Sequence, residues 1–273
     1  MLYPVGFLDA IGDSMMQIDF IGPRYIEGSE ASIHFLSIRY VHPQKKQLFF
    51  RILHQTTSET LRILSIVFFD LQLPLPDVIQ QDNGSSFRGY IDQKGMVGRY
   101  IRWWCHNGVK IVFNAPRSPW NTGAVEGANS VFDRKFWKAH HFTSIDEIDA
   151  TLVKFNAACD AYHGGTVLFH GAQSRVPISP RKRIPDLANL QQPFLFLLRI
   201  VREDRYEKFT VEVLNRYLEL PAELKGQFVI VQIHLRDQWI KIWQEREERT
   251  TLVRSQTTFT VHTGNFGRKK KQQ

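Results

Sequence analysis

The chain has 273 residues, 43% hydrophobic, 12% aromatic and 23% charged, a globular balance that excludes a largely disordered protein and leaves room for one large domain and a small one. Against 27 Asp and Glu stand 35 Lys and Arg, a net charge of +8 that favours an anionic partner, nucleic acid first among them. Two cysteines, Cys105 and Cys159, exclude a disulfide framework and a CxxC zinc pattern, and both are expected as buried thiols.

No membrane partner is expected, because the most apolar runs, 63–69 and 194–198, fall far short of the ~18 residues a span needs. With no basic region before an apolar block near Met1, no secretory signal is readable and the expected address is the cytoplasm. After an N-terminal extension (1–14), three alternating or apolar runs, 16–21, 33–41 and 47–54, are separated by Gly22-Pro23, Gly28-Ser29 and His42-Pro43, and predict three consecutive antiparallel strands. A helix starts near Thr57-Ser58 and is ended by Pro74 and Pro76. A short strand, Val78 to Gln81, stops at Asp82-Asn83-Gly84. A second helix spans Met96 to His106 and a strand Val109 to Phe113, giving the order βββαβαβ.

A helix from Thr122 to Lys138 follows a turn-rich segment. The next has a clear start signal, the capping box Ser144/Glu147, with Ile145, Ile148, Leu152, Phe155, Cys159 and Tyr162 at steps of three and four before Gly164-Gly165. Four prolines among Arg175, Arg181, Lys182 and Arg183 mark a basic linker (166–195). Beyond it, the runs 196–201, 209–214, 228–233, 238–244 and 258–261 predict a small all-β, SH3-like barrel (196–262), followed by a basic tail (263–273). Within it, Trp239, Lys241 and Trp243 share one strand face, either as a stacking platform for bases or as core tryptophans with Lys241 reaching out.

Three acids are singled out by their surroundings. Asp19 interrupts the apolar run Met16-Gln17-Ile18-Asp19-Phe20-Ile21, where a carboxylate is costly on a central strand unless a cation neutralises it and unremarked on an edge strand. Asp82 lies at the carboxyl end of a strand, where ligands collect in α/β sheets, and it also suits a simple Asx turn before Gly84. Glu126 falls in the first turn of a helix capped by Asn121 or Thr122, where dipole complementarity alone would favour an acid. Converging at one sheet edge, the three would form a hard-oxygen site suited to two Mg²⁺ or Mn²⁺ ions, which clamp an in-line phosphodiester displacement.

The phrases Met16-Gln17-Ile18-Asp19-Phe20-Ile21-Gly22, Gln81-Asp82-Asn83-Gly84-Ser85-Ser86-Phe87 and Asn114 through Asn129 resemble the three signature blocks of the DDE integrase core of retroviral integrases and insertion-sequence transposases. The resemblance covers about 15–165. It implies an RNase H-like mixed sheet flanked by helices, with Asp19, Asp82 and Glu126 as catalytic metal ligands. It further implies DNA cleavage and strand transfer on element ends and target DNA, and self-association.

Candidate DNA contacts are Arg117 and Trp120 in the Pro-Trp-Asn-Thr-Gly turn, Asn129, Arg134 and Lys135 on the following helix, the linker triplet Arg181, Lys182 and Arg183, and Lys241. The interval from Asp82 to Glu126 exceeds that of retroviral integrases, with the extra length expected around 89–98. The extension 1–14 is too short for the recognition module usual in such transposases, so a truncated element, a mis-assigned start or a separate recognition partner is expected. The competing readings are a catalytically lost, truncated remnant that only binds DNA, and an RNase H-like nuclease that hydrolyses without joining.

Overall fold

The three N-terminal runs form a meander: β1 (Met15–Arg24), β2 (Ile33–His42) and β3 (Lys46–Ile52) pair antiparallel in sequence order. A short helix, α1 (Val5–Ala10), precedes them. The computed structural model describes residues 4–43, 45–88, 94–116, 123–164, 186–246 and 249–263. On the other side of β1 lies β4 (Val78–Gln81), parallel to it, and beyond that β5 (Lys110–Phe113), parallel to β4. β1 is therefore central, not an edge strand.

Helices cover both faces of this sheet. α2 (Thr57–Ser65) is capped by Thr56, whose side chain accepts from the Glu59 N–H, and it continues as a π turn to Asp70, ending before Pro74. With α3 (Ser85–Arg88) and α4 (Arg99–His106) it brings Leu61, Leu64, Phe87, Trp103 and Trp104 onto Met16, Ile18, Leu36 and Ile38. On the opposite face, α5 (Gly123–Phe132), prolonged by a π turn to Trp137, and α6 (Ile145–Tyr162) set Ala128, Phe132, Phe136, Ile148 and Leu152 against Ile21, Phe35 and Phe49. At the start of α6 the Ser144 hydroxyl accepts from the Glu147 N–H, while the Glu147 carboxylate turns back to the Thr143 N–H and hydroxyl, one residue earlier than a capping box would place it. Cys105 is buried; Cys159 is only half-buried, a correction to the expected pair of buried thiols.

The C-terminal strands do not form the separate barrel the sequence suggests. β6 (Phe194–Ile200) pairs parallel with β5, and β10 (Phe228–His234), β11 (Trp239–Arg246) and β12 (Arg249–Gln256) continue antiparallel, completing one nine-stranded mixed sheet. The intervening β7 (Arg202–Glu203), β8 (Phe209–Val213) and β9 (Arg216–Glu219) make a small three-stranded antiparallel sheet. The reason lies in β6, which is apolar on both faces: Leu195 and Leu197 enter one core cluster, Phe196 and Leu198 another. A half-solvated barrel strand alternates, whereas a strand beside a buried parallel pair does not.

The expected strand at 258–261 is coil, although Phe259 and Val261 are buried. Its pattern reads as a strand because two side chains plug the core from a segment anchored by the Phe259 N–H on the Gln238 carbonyl. The last strand, β12, is a mostly exposed polar edge and carries no apolar alternation to read.

Candidate functional site

Asp19 and Asp82 are brought together by strand register. β1 and β4 run parallel with Ile18 opposite Gln81, so the next residues, Asp19 and Asp82, leave the pair at one level on neighbouring strands, ~4.8 Å apart across the sheet. Asp82 also makes the Asx turn its Asn-Gly context suggests: its Oδ1 accepts from the Gly84 N–H at 2.8 Å. Phe20 stacks on Phe87 of α3 with centroids 4.8 Å apart, tying the loop after Asp82 back to β1.

Glu126 sits in the first turn of α5, and the helix is bonded to β1 on both sides of it. The Val125 N–H donates to Gln17 Oε1 at 3.0 Å, and Asn129 Nδ2 donates to Asp19 Oδ2 at 2.7 Å. The first bond ends a buried amide ladder that crosses three strands. Gln17 Nε2 donates to Gln80 Oε1 at 2.8 Å, and Gln80 Nε2 to Asn114 Oδ1 at 2.9 Å.

Beyond the ladder, the Asn114 carbonyl accepts from Asn83 Nδ2 and from Arg199 Nη1, at 3.3 Å for the latter. Arg199 is 2% exposed; it also donates to the Leu198 and Glu212 carbonyls and lies 3.5 Å from a Glu212 carboxylate oxygen. Burial lowers its guanidinium to about 10, against the pull of Glu212. Gln17, Gln80, Asn114 and Arg199 were not foreseen as site residues. The signal for Gln17, Gln80 and Arg199 is a polar side chain inside an otherwise buried strand, and for Asn114 one directly after such a strand.

The other two acids act on Asp19. Burial, then the charge of Asp82, then that of Glu126 push the Asp19 carboxyl up to about 6, opposed by hydrogen bonds from the Phe20 N–H and Asn129. Burial raises Asp82 too, against the Gly84 N–H. Among the described residues no lysine or arginine contributes to the shift of either carboxyl. In donor chemistry and charge the three fit a hard divalent cation. In spacing, no three acids, histidines or cysteines among the described residues converge into a ready-made cage.

The candidate DNA contacts are dispersed. Arg117, Trp120, Arg181, Lys182 and Arg183 lie outside the described residues, as do the caps Asn121 and Thr122 and the tail. The Asn129 amide is engaged by Asp19. Arg134 is exposed and bonds the Ser130 carbonyl at 3.3 Å; Lys135 is exposed one residue on.

Lys241 Nζ lies 5.0 Å from the centroid of Trp239 and 5.9 Å from that of Trp243. Trp239 stacks on His234 at 5.0 Å, and Trp243 donates to Gln232 Oε1 at 3.0 Å while abutting the cluster around Phe196 and Ile230. Both tryptophans are half-buried, and of the two only Trp243 packs against a core cluster.

No protein-family model matches the chain, and no curated protein matches it. Among solved structures, a chain of the simian T-cell lymphotropic virus intasome in complex with PP2A regulatory subunit B56 gamma aligns at 12% identity with a TM-score of 0.44, covering 92% of this chain and 81% of that one. The C-terminal lobe of a budding yeast Argonaute aligns at 10% identity and a TM-score of 0.19, over 90% of this chain and 37% of that one. A Kluyveromyces polysporus Argonaute with a guide RNA aligns at 9% identity and a TM-score of 0.17, over 87% of this chain and 20% of that one. Among the described residues no helix is long and apolar enough to cross a membrane.

Proposed function

We propose that the chain is a DDE-type transposase or integrase, built on an RNase H-like core, that cuts a DNA phosphodiester and joins the freed strand end to a target. The observation that supports this reading is the bracketing of Glu126: α5 is bonded to β1 at Val125 and at Asn129, on either side of Glu126, and the Glu126 charge acts on Asp19 beside Asp82 at the carboxyl ends of β1 and β4. Asp19, Asp82 and Glu126 would hold two Mg²⁺ or Mn²⁺ ions, whose chemistry when bound is to activate the attacking oxygen and stabilise the leaving oxygen.

The chain's own residues set the conditions for that step. Asp19, flanked by two negative neighbours and half-buried, has a strong electrostatic reason to accept a cation. Asn129 fixes one of its oxygens, and the Phe20 N–H the other, so the carboxylate plane is set before anything binds. The amide ladder holds α5 at the sheet edge from beneath, away from water. Arg134, Lys135 and Lys241 supply exposed or half-exposed cations for phosphates of element-end and target DNA. Bringing two DNA ends together calls for self-association of the chain.

A second reading, a remnant that binds DNA without cutting it, is favoured by one observation: both Asp19 oxygens already accept intrachain hydrogen bonds. Mn²⁺-dependent cleavage and strand transfer on a branched oligonucleotide separate the two, comparing the native chain with Glu126→Gln. Joined product from the native chain and none from the variant is the expected result. Intact DNA binding with no product from either would leave the remnant standing and remove the catalytic reading.

A further inference from the structure

On the face of the sheet that carries α5 and α6, but away from the acids, lies a cavity of about 490 Å³, within the size range of small-molecule sites. Its floor is β2 and β3, through Arg39, Gln47 and Phe49. One wall is an α5 stripe, Ala124, Gly127, Ala128, Val131 and Lys135; the other is the end of α6, from Phe155 to His163. The small residues of α5 facing Phe49, Phe155 and Tyr162 leave a slot suited to a flat apolar body.

Two polar atoms in this lining are buried without a hydrogen-bond partner: Arg39 Nε, a donor, and Gln47 Oε1, an acceptor. Gln47 is 2% exposed, and its amide nitrogen is already committed to the Ser37 hydroxyl and the Leu48 carbonyl. Native proteins rarely leave such atoms unmatched, because each costs about 1–3 kcal/mol.

Arg39 is, moreover, a half-buried cation on which no carboxylate acts among the described residues, the favourable charge it meets being that of the Cys159 thiol group. Its Nη1 donates to His163 Nε2 at 2.9 Å, which requires that nitrogen of the imidazole to be unprotonated, and the nearby Asp160 is ion-paired with Lys46. Lys135 stands exposed at the rim. The pocket therefore offers one inner positive charge, one unused acceptor and an apolar slot.

We propose that this cavity binds a small aromatic monocarboxylate, its carboxylate on Arg39, its ring between Phe49, Phe155 and the small residues of α5, and a donor group, where the ligand carries one, on Gln47 Oε1. A guanidinium takes a carboxylate as a planar fork. A single inner cation neutralises a monoanion, whereas a dianionic phosphate would bury a second charge uncompensated. The site is independent of the acids in its residues and would act on them only through α5, whose Ala124 and Gly127 line the cavity on either side of Glu126.

The test uses the full chain without metal or DNA and three probes: 1-naphthoate, the uncharged 1-naphthalenemethanol and 1-naphthyl phosphate, read by isothermal calorimetry and ligand-observed NMR. Naphthoate is expected to bind at least tenfold more tightly than the other two, and Arg39→Gln to remove that preference. Gly127→Leu supplies a second variant: a Cβ there meets nothing within 4 Å, so the added side chain has room to occupy the slot and block naphthoate while the helix is retained, as circular dichroism would show. No saturable naphthoate binding, equal binding by Arg39→Gln, or tighter binding of the phosphate would each overturn the proposal. DNA cleavage does not enter any of these readouts.

Discussion

Asn129 donates its side-chain amide to Asp19 Oδ2 at 2.7 Å, joining the second turn of α5 to β1, an interior strand of the sheet. This bond favours the ionised carboxylate, whereas burial and the two neighbouring acids favour the protonated one. Asn129→Ala is expected to move the Asp19 carboxyl above about 6. Carboxyl-carbon NMR titration of the metal-free protein measures the shift; an unchanged or lower value would show that the amide does not stabilise the charge.

The raised Asp19 value also has a sign for stability. A carboxyl at about 6 in the folded protein against 3.8 in the unfolded chain means that between these limits the folded state holds more protons. Stability therefore falls as pH rises through that window, by an amount on the order of 3 kcal/mol, and stays low above it. Asp19→Asn is expected to flatten this fall. Urea midpoints of the two proteins from pH 4 to 7 without divalent cation give the comparison, and parallel curves would contradict it. Adding Mg²⁺ at neutral pH is expected to restore part of the loss in the native chain alone.

Gln17→Leu would leave the Val125 N–H without its acceptor and Gln80 Oε1 without the Gln17 donor. The expected loss is roughly 1–3 kcal/mol of stability. On the proposed function, strand-transfer rate should fall by a larger factor than stability explains, since the first turn of α5 carries Glu126. Equilibrium unfolding together with turnover at a temperature where both proteins are folded separates the two effects. Unchanged turnover would confine the ladder to stability.

Arg199→Met removes a buried cation that bridges the Asn114, Leu198 and Glu212 carbonyls. It would leave Glu212 with Arg88, 3.0 Å away, as its ion-pair partner. Because Glu212 keeps Arg88, the expected loss is that of buried carbonyls left without their donor, roughly 1–3 kcal/mol, visible as a lower urea midpoint. A midpoint within error of the native one would show that methionine fills the space as well as the salt bridge does.

Lys241→Ala is expected to weaken binding to duplex DNA of any sequence and to reduce the slope of log affinity against log salt by about 1. Because Trp239 and Trp243 keep their own contacts with His234 and Gln232, the fold should survive. Fluorescence anisotropy at several salt concentrations measures the slope, and an unchanged slope would remove Lys241 from the DNA surface.

Much of the N-terminal architecture is legible because local chemistry and burial agree there. The meander, the start of α2 near Thr57-Ser58, and α6 with Ser144 as cap all carry their own turn and start signals. Asp19 and Asp82 stand out because a carboxylate in or beside an apolar strand needs a reason. What the sequence does not show is which side chains meet once distant segments pair. Gln17 and Gln80 look like ordinary polar interruptions until the strands are laid side by side and their amides meet. Asn129 looks like a surface residue until α5 is docked. β6 betrayed its place by apolarity on both faces, but that signal names a buried strand without naming its neighbour.

The parallel pairing of β5 with β6 has a consequence for the order of events in synthesis. Ile111 is hydrogen-bonded alongside Leu195, so the edge of β5 stays unsatisfied until the chain has been extended well past α6. Until then the growing polypeptide carries an open, apolar strand edge of the kind that recruits other chains. A fragment cut at the linker would keep that edge permanently, so expressing the N-terminal part alone invites aggregation.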